Sequence, residues 1–319
     1  KHSTDRTVCS MREIIHINEV GLRDGLQNQP NPVSTESKLK MASALVAAGV
    51  RQFEAVSFVH PRLVPQMADA VEVLDGLREF NQLNIAALVP NMKGYERARE
   101  QGVNSVGVVL ASTDTFNQRN LNMTLAQTRE TCQQVIARAR ADGVFVRAYI
   151  SGAIACPYDG KTPVDVVHRL TADMMEAGAS EISIADTIGA GNPQQISDIL
   201  RPLVQQFGAD RFNLHLHDTR GLALAMAWAG VMEGVRRFDS SIGGLGGCPF
   251  APGASGNVAT EDLVYLLEES GFDTGIDINA LRDAVQVAEV ATGQHLGGRI
   301  LKWMQSQAIR AAQKREACV

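Results

Sequence analysis

The chain predicts an α/β protein of one architecture, a (β/α)8 TIM barrel with additional C-terminal helices. Three observations predict it. Eight short β-rich apolar runs alternate with segments of helical periodicity. Glycine stands where helix after helix should end, at Gly49, Gly102, Gly143, Gly178 and Gly208, the residue best suited to the left-handed turn that closes a helix. The eight runs occupy about 230 residues, which fits one closed barrel.

In chain order the predicted strands are 14–20, 52–57, 84–89, 105–110, 145–150, 181–185, 212–216 and 237–241. Helical periodicity lies between them, most clearly over 35–48, 124–141, 163–177 and 192–207. The recurring order of helix, Ala-Gly, short polar link and strand is that of parallel βα units. An open doubly wound sheet is the competing fold, but it often begins with a glycine fingerprint after its first strand, and none follows residue 20. Beyond residue 275 the pattern is helical only, over 277–293 and 299–315. The expected organisation is a flexible arm at 1–12, a barrel domain at 13–275, and C-terminal helices at 276–319 packed on the barrel.

Composition narrows the function. Of 319 residues, 45% are hydrophobic and 20% charged, ordinary for a globular protein. A net charge of −5 gives no electrostatic case for nucleic acid or an anionic membrane. No apolar run approaches the ~20 residues of a membrane-spanning helix, and residues 1–11 lack the apolar segment of a signal peptide. Five scattered cysteines, Cys9, Cys132, Cys156, Cys248 and Cys318, form no CxxC pair and suit a reducing, cytoplasmic setting.

A barrel gathers its chemistry at the C-terminal ends of its strands. Asp24 follows the first strand, His215 and His217 end the seventh, and a glycine-rich loop, Gly243-Gly-Leu-Gly-Gly-Cys248-Pro-Phe-Ala-Pro-Gly-Ala-Ser-Gly-Asn257, follows the eighth. Strands one, seven and eight are neighbours once the barrel closes, so the three positions meet. The i, i+2 spacing turns both imidazoles to one face of a strand. With Asp24 and Asn257 they form a mixed nitrogen and oxygen set suited to a divalent ion, Mg²⁺ or Mn²⁺ first and Co²⁺ or Zn²⁺ by the pull of the imidazoles. The competing reading is a pair of buried structural histidines. Arg23, in a dry pocket, would stabilise a developing oxyanion rather than form a surface ion pair. Cys248, flanked by glycine and proline, reads as a positioned thiol for proton transfer. Glu54 lies inside a strand, where a carboxylate needs a partner such as Arg23. Glu19 and Asp186, at the ends of strands one and six, would support the ligands from behind. Cys156 in Cys156-Pro-Tyr-Asp-Gly reads as a shaped turn, His16 and His168 as structural, and Lys93 and Arg119 as solvated cations or phosphate contacts.

These residues lie in motifs that resemble the 3-hydroxy-3-methylglutaryl-CoA lyase family. They are Glu19-Val-Gly-Leu-Arg-Asp-Gly-Leu-Gln-Asn28, Ser57-Phe-Val-His-Pro-Arg-Leu-Val-Pro-Gln-Met67, Leu88-Val-Pro-Asn-Met-Lys-Gly94, Cys156-Pro-Tyr-Asp-Gly160, Asp186-Thr-Ile-Gly189, His215-Leu-His-Asp-Thr219, and Gly244-Leu-Gly-Gly-Cys-Pro-Phe through Thr260-Glu-Asp262. The wider group of metal-dependent aldol and Claisen enzymes shares only the Arg-Asp-Gly and His-x-His-Asp pieces, and the cysteine loop points to the lyase branch. The resemblance implies cleavage of a 3-hydroxyacyl-CoA to acetyl-CoA and a keto acid, a role in leucine degradation, and a homodimer. It implies metal ligands at Asp24, His215, His217 and Asn257. It implies catalytic roles for Cys248, Arg23, His215 and Glu54, and substrate contacts from Arg23, Gln27, Asn28, Ser57 and Lys93. The chain departs from the family pattern at Arg220, Ile242-Gly-Gly244, Ile154-Ala155, 109–113 and His60 to Leu63. These changes surround the expected acyl pocket, so citramalyl-CoA or a longer branched analogue is the alternative substrate. A metal-dependent aldolase or condensing enzyme on a keto acid is the alternative reaction, and a catalytically silent barrel the alternative class. Arg220 is expected either to meet an extra carboxylate or to lie on the surface.

Overall fold

The computed structural model describes residues 12–247 and 256–316. Eight parallel strands close into a barrel in the order β1-β8-β7-β6-β5-β4-β3-β2. They are β1 His16–Glu19, β2 Gln52–Ser57, β3 Asn84–Leu88, β4 Ser105–Ala111, β5 Phe145–Ser151, β6 Glu181–Asp186, β7 Phe212–Leu216 and β8 Arg237–Ser240. Each expected strand is present within one or two residues. β1 closes the barrel by pairing with β8, His16 opposite Arg237 and Glu19 opposite Ser240, and with β2, Asn18 opposite Gln52.

The surrounding helices are α1 Thr35–Ala47, α2 Ala70–Leu77, α3 Met92–Glu100, α4 Asp114–Leu121, α5 Leu125–Ala141, α6 Val164–Ala177, α7 Pro193–Phe207, α8 Ala223–Met232 and α9 Thr260–Glu269. Their starts follow from capping side chains that satisfy otherwise orphaned amides: Ser34, Asn91, Thr113 and Asn192, and a reciprocal Thr124–Gln127 box at α5. α7 shows how they pack. Ile196, Ile199, Leu200 and Leu203 recur at helical spacing and are all buried against the barrel. Gly49 ends the first helical segment at φ +105°, where a β-carbon would collide with the Gly275 carbonyl, so glycine is required twice over. α10 Ile278–Thr292 packs on α1 and α9, and Asp277 donates its amide to the Ala48 carbonyl at 2.7 Å. α11 Arg299–Glu316 starts on Asp262, whose carboxylate accepts the Arg299 and Ile300 amides at 2.9 and 2.8 Å. Among the described residues no helix is long and apolar enough to cross a membrane.

Barrel interiors are usually filled by layers of branched apolar side chains. Here charged and polar side chains share the interior. Glu54, Tyr149, Glu181, Asp239 and His215 are buried, and with the half-buried Arg147 they are joined by hydrogen bonds across it.

Candidate active site

The site begins where β1 ends. Residues Gly21–Gly25 form a single wide turn in which the Gly25 amide reaches back to the Val20 carbonyl, and all five residues are buried. Such an i→i+5 turn swings side chains inward and is often found at functional sites. Gly21 is needed there, because a β-carbon would lie 2.6 Å from the Glu19 carboxylate. Glu19 ties the turn to its surroundings, accepting the Gly21 and Ile242 amides at 2.8 and 3.0 Å and the Thr260 hydroxyl at 2.6 Å. Burial raises its pKa to about 7 despite those donors.

The turn delivers Arg23 and Asp24 together. Arg23 Nη1 donates to Asp24 Oδ1 at 2.7 Å, and its other nitrogens grip Glu54 Oε1. The partner expected for the buried Glu54 is therefore Arg23. Tyr149 completes the group, its hydroxyl donating to Glu54 Oε2 at 2.9 Å. Burial opposes the ionisation of Asp24, but the Arg23 charge and both imidazoles outweigh it and hold its pKa well below the carboxylate range.

His215 and His217 come from the end of β7, and Asp24, His215 and His217 are all buried with ligand atoms within 4.8 Å of one another. The two Nε2 atoms are 3.3 Å apart, and each lies 3.9 Å from Asp24 Oδ2. His215 Nδ1 faces Asp239 Oδ2 at 3.0 Å, which places its proton on Nδ1 and leaves the Nε2 lone pair directed at His217 and Asp24. Burial pulls the His215 pKa down, but Asp239 and Asp24 outweigh that and leave it raised. Burial and the neighbouring His215 lower that of His217 to about 4, so His217 offers a lone pair at neutral pH. His217 Nδ1 is buried without a hydrogen-bond partner among the described residues. Converging lone pairs and a carboxylate repel one another unless a cation lies between them. Donors bound to one ion at about 2.1 Å stand roughly 3–4 Å apart, the spacing observed, so the set fits a divalent metal.

Asn257 is held at this cluster by backbone pairing with His217, an antiparallel bridge. Its amide nitrogen, not its oxygen, faces the cluster, donating to Asp24 Oδ2 at 2.8 Å and to the Leu245 carbonyl at 3.3 Å. Asp186 lies further back. Its side chain accepts the Ala190 and Gly191 amides at 3.0 and 2.8 Å, and its carbonyl accepts the His217 amide at 3.3 Å. Burial raises its pKa in spite of those amides.

A cavity of about 410 Å³ opens beside these groups. Arg23, Asp24, Gln27, Asn28, Ser57, Tyr149, His215 and His217 form its polar wall, and Val59, Leu63, Val64, Val109, Phe116 and Leu121 an apolar one. Gln27 donates to Asp24 Oδ1 and Asn28 to the Gly247 carbonyl, both at 3.2 Å. Lys93 is exposed on α3 and does not line the cavity. Arg220 clamps the Ile188 and Gly189 carbonyls at 2.7 and 2.8 Å, so it secures the loop after β6 rather than meeting a carboxylate. Cys156 is buried in its turn, its sulfur accepting the Tyr158 and Asp159 amides. Cys248 lies outside the described residues, but the chain reaches the cavity wall at Gly247 and returns at Gly256 beside Asn257.

Sequence reading missed Asp239, Arg147 and Tyr149. The signal was present, since an ionisable residue inside an apolar strand is the argument that singled out Glu54, and it holds equally for Arg147 in β5 and Asp239 in β8.

The HMGL-like family model matches residues 14–288. The chain belongs to the HMGL-like family. It is 41% identical over 292 residues to the hydroxymethylglutaryl-CoA lyase YngG of Bacillus subtilis, covering 92% of this chain and 98% of that protein. It is 41% identical over 294 residues to the 3-hydroxy-3-isohexenylglutaryl-CoA/hydroxy-methylglutaryl-CoA lyase of Pseudomonas aeruginosa, again covering 92% and 98%. The crystal structure of hydroxymethylglutaryl-CoA lyase from Pseudomonas aeruginosa superposes with a TM-score of 0.88 at 40% identity, over 93% of this chain and 99% of that one. The HMGL-like barrel thus carries its buried Asp-His-His cluster at the C-terminal ends of β1 and β7, the mouth where barrel chemistry gathers.

Proposed function

We propose that this chain is a divalent-metal-dependent carbon–carbon lyase that cleaves 3-hydroxy-3-methylglutaryl-CoA to acetyl-CoA and acetoacetate by retro-Claisen cleavage. The observation that carries the proposal is the buried convergence of Asp24, His215 and His217 beside the Arg23–Glu54 pair, in a chain about 41% identical to lyases named for this substrate.

Cleavage requires the 3-hydroxyl to lose its proton and the C2–C3 electron pair to move into the thioester as an enolate. Asp24, His215 and His217, with Asn257 once its amide oxygen faces the cluster, would hold Mg²⁺ or Mn²⁺, which when bound acidifies and orients the hydroxyl. His215 Nε2 either ligates the ion or accepts the hydroxyl proton, and its Nδ1–H stays on Asp239 in both cases. Arg23 stands over the enolate position, fixed in place by Glu54, and supplies positive charge in a dry setting where it is most effective. Cys248, on the loop between Gly247 and Gly256, donates the proton that converts the enolate to acetyl-CoA, a step typically worth ~10²–10⁴-fold. Gln27, Asn28 and Ser57 line the acyl cavity, and the exposed Lys93, outside that cavity, is assigned to the phosphates of the CoA moiety. The resemblance also implies a homodimer, and the scattered cysteines a cytoplasmic setting. A longer branched 3-hydroxyacyl-CoA is the second reading, favoured by the apolar wall from Val59 to Leu121 and by the double name of the Pseudomonas aeruginosa relative.

The test is product analysis with 3-hydroxy-3-methylglutaryl-CoA and its isohexenyl analogue. Equimolar acetyl-CoA and acetoacetate from the first supports the proposal. Turnover of the analogue alone shifts the assignment to the longer acyl group, and no thioester cleavage of either refutes it.

A further inference from the structure

We propose that Arg147, deep in the barrel, is a positioning residue that couples the two halves of the site: it sets the metal half through Asp239 and His215, and the enolate half through Tyr149 and Glu54. The inference rests on the metal-site reading above and extends it to residues that touch neither metal nor substrate.

The guanidinium of Arg147 is nearly enclosed, its side chain 11% exposed, with three neighbours from three strands. Nε pairs with Glu181 of β6, while Nη1 donates to Asp239 Oδ1 of β8 at 2.9 Å and to the Tyr149 hydroxyl of β5 at 3.2 Å. Asn18 Nδ2 donates to the same Asp239 oxygen at 2.9 Å. Asp239 Oδ1 is thereby engaged by two donors, and Oδ2 is left for His215 Nδ1 at 3.0 Å. An anionic acceptor at Nδ1 fixes the tautomer and the ring, so that Nε2 presents its lone pair at the triad. On the other side the Tyr149 hydroxyl, touched by Nη1, points its proton at Glu54 Oε2, and Glu54 Oε1 holds Arg23. Tyr149 also stands edge-on to the His215 ring at 5.9 Å. One guanidinium therefore fixes the acceptor of the metal ligand and the orientation of Glu54, the group that holds Arg23 beside the enolate anion.

A merely structural ion pair would change stability alone. The proposed chain predicts a division of effects, read by titrating metal-free protein with Mn²⁺ and measuring kcat at saturating Mn²⁺. Asp239→Asn should weaken Mn²⁺ binding 10–100-fold, the usual effect of removing the partner behind a metal-ligating histidine. Tyr149→Phe should leave the Mn²⁺ dissociation constant unchanged and lower kcat. Arg147→Lys should move both. Lys38→Met, which breaks the buried pair of Lys38 with Asp69 elsewhere in the fold, should lower the melting temperature and move neither. Nitrogen-15 spectra of the histidines in metal-free wild-type protein at alkaline pH give a readout independent of any variant. They should show His215 protonated on Nδ1 and bare on Nε2. The opposite tautomer, or folded Asp239→Asn and Arg147→Lys proteins with wild-type Mn²⁺ affinity, overturns the proposal. Absence of Mn²⁺ binding by the wild type instead overturns the metal site itself, so the two failures are distinguishable.

Discussion

Replacing Glu54 with glutamine tests the enolate half of the site and reaches the metal half only through the existing Arg23–Asp24 pair. Glu54 Oε1 takes both the Nε and an Nη hydrogen bond of Arg23, and Oε2 takes the Tyr149 hydroxyl at 2.9 Å. Glutamine keeps the volume but loses the charge and offers one acceptor oxygen where there were two. Breaking one side of a buried pair typically costs about 3–5 kcal/mol. Here Asp24 still faces Arg23 at 2.7 Å, so the lower end, about 3 kcal/mol, is expected in chemical denaturation of the metal-free protein. The guanidinium, held then by Asp24 alone, is no longer fixed at the position where the enolate oxygen forms. Loss of one aimed donor of this kind typically lowers kcat about 10²–10³-fold. No hydrogen bond or ion pair joins Glu54 to His215, His217 or Asp24, so metal content by elemental analysis should match the wild type. A kcat within a few fold of wild type would refute the role given to Arg23 and Glu54. A parallel loss of metal would refute the separation of the two halves.

Asp24→Ala removes the one carboxylate of the triad and leaves Arg23 beside two imidazoles, so metal content should fall to near zero. Unchanged content refutes that ligand. Cys248→Ala should retain metal and lose about 10²–10⁴-fold in turnover, and full activity would exclude the thiol as proton donor. Glu19→Gln bears on pH. The folded pKa is raised from 4.5 to about 7, so across that window the folded protein keeps a proton that the unfolded chain has lost, and stability falls as pH rises. The shift is worth on the order of 3 kcal/mol. Glu261 is raised to about 7 by the same burial while the lowered His217 contributes with the opposite sign, so the substitution should remove about 3 kcal/mol of the change in stability measured by urea between pH 4.5 and 7. An unchanged slope would show that Glu19 is ionised throughout.

The eight strands were legible because each is a short apolar run with a polar or glycine boundary, and the barrel order then followed from their number. Asp24, His215, His217 and Asn257 were legible because motifs at strand ends must converge when β1 meets β8. What is not local was not legible. The wide turn at 21–25 follows from Glu19 reaching across to Ile242 and Thr260, partners more than 200 positions away in the chain. Asp239 gained meaning only when β8 was placed beside β7, bringing its carboxylate to His215. The same limit explains Arg220. Its place in the motif left a substrate carboxylate and the surface as alternatives; it lies on the surface, its guanidinium taken up by two carbonyls of the preceding loop. Lys93 follows a motif at the end of β3, yet the first turn of α3 points it to solvent.

The most direct test of the account is the rate of acetyl-CoA release from 3-hydroxy-3-methylglutaryl-CoA by the purified chain, as isolated, after chelation, and after return of Mg²⁺ or Mn²⁺. Chelation should abolish turnover and either ion should restore it, in proportion to the metal bound. Turnover that survives complete removal of metal would contradict it.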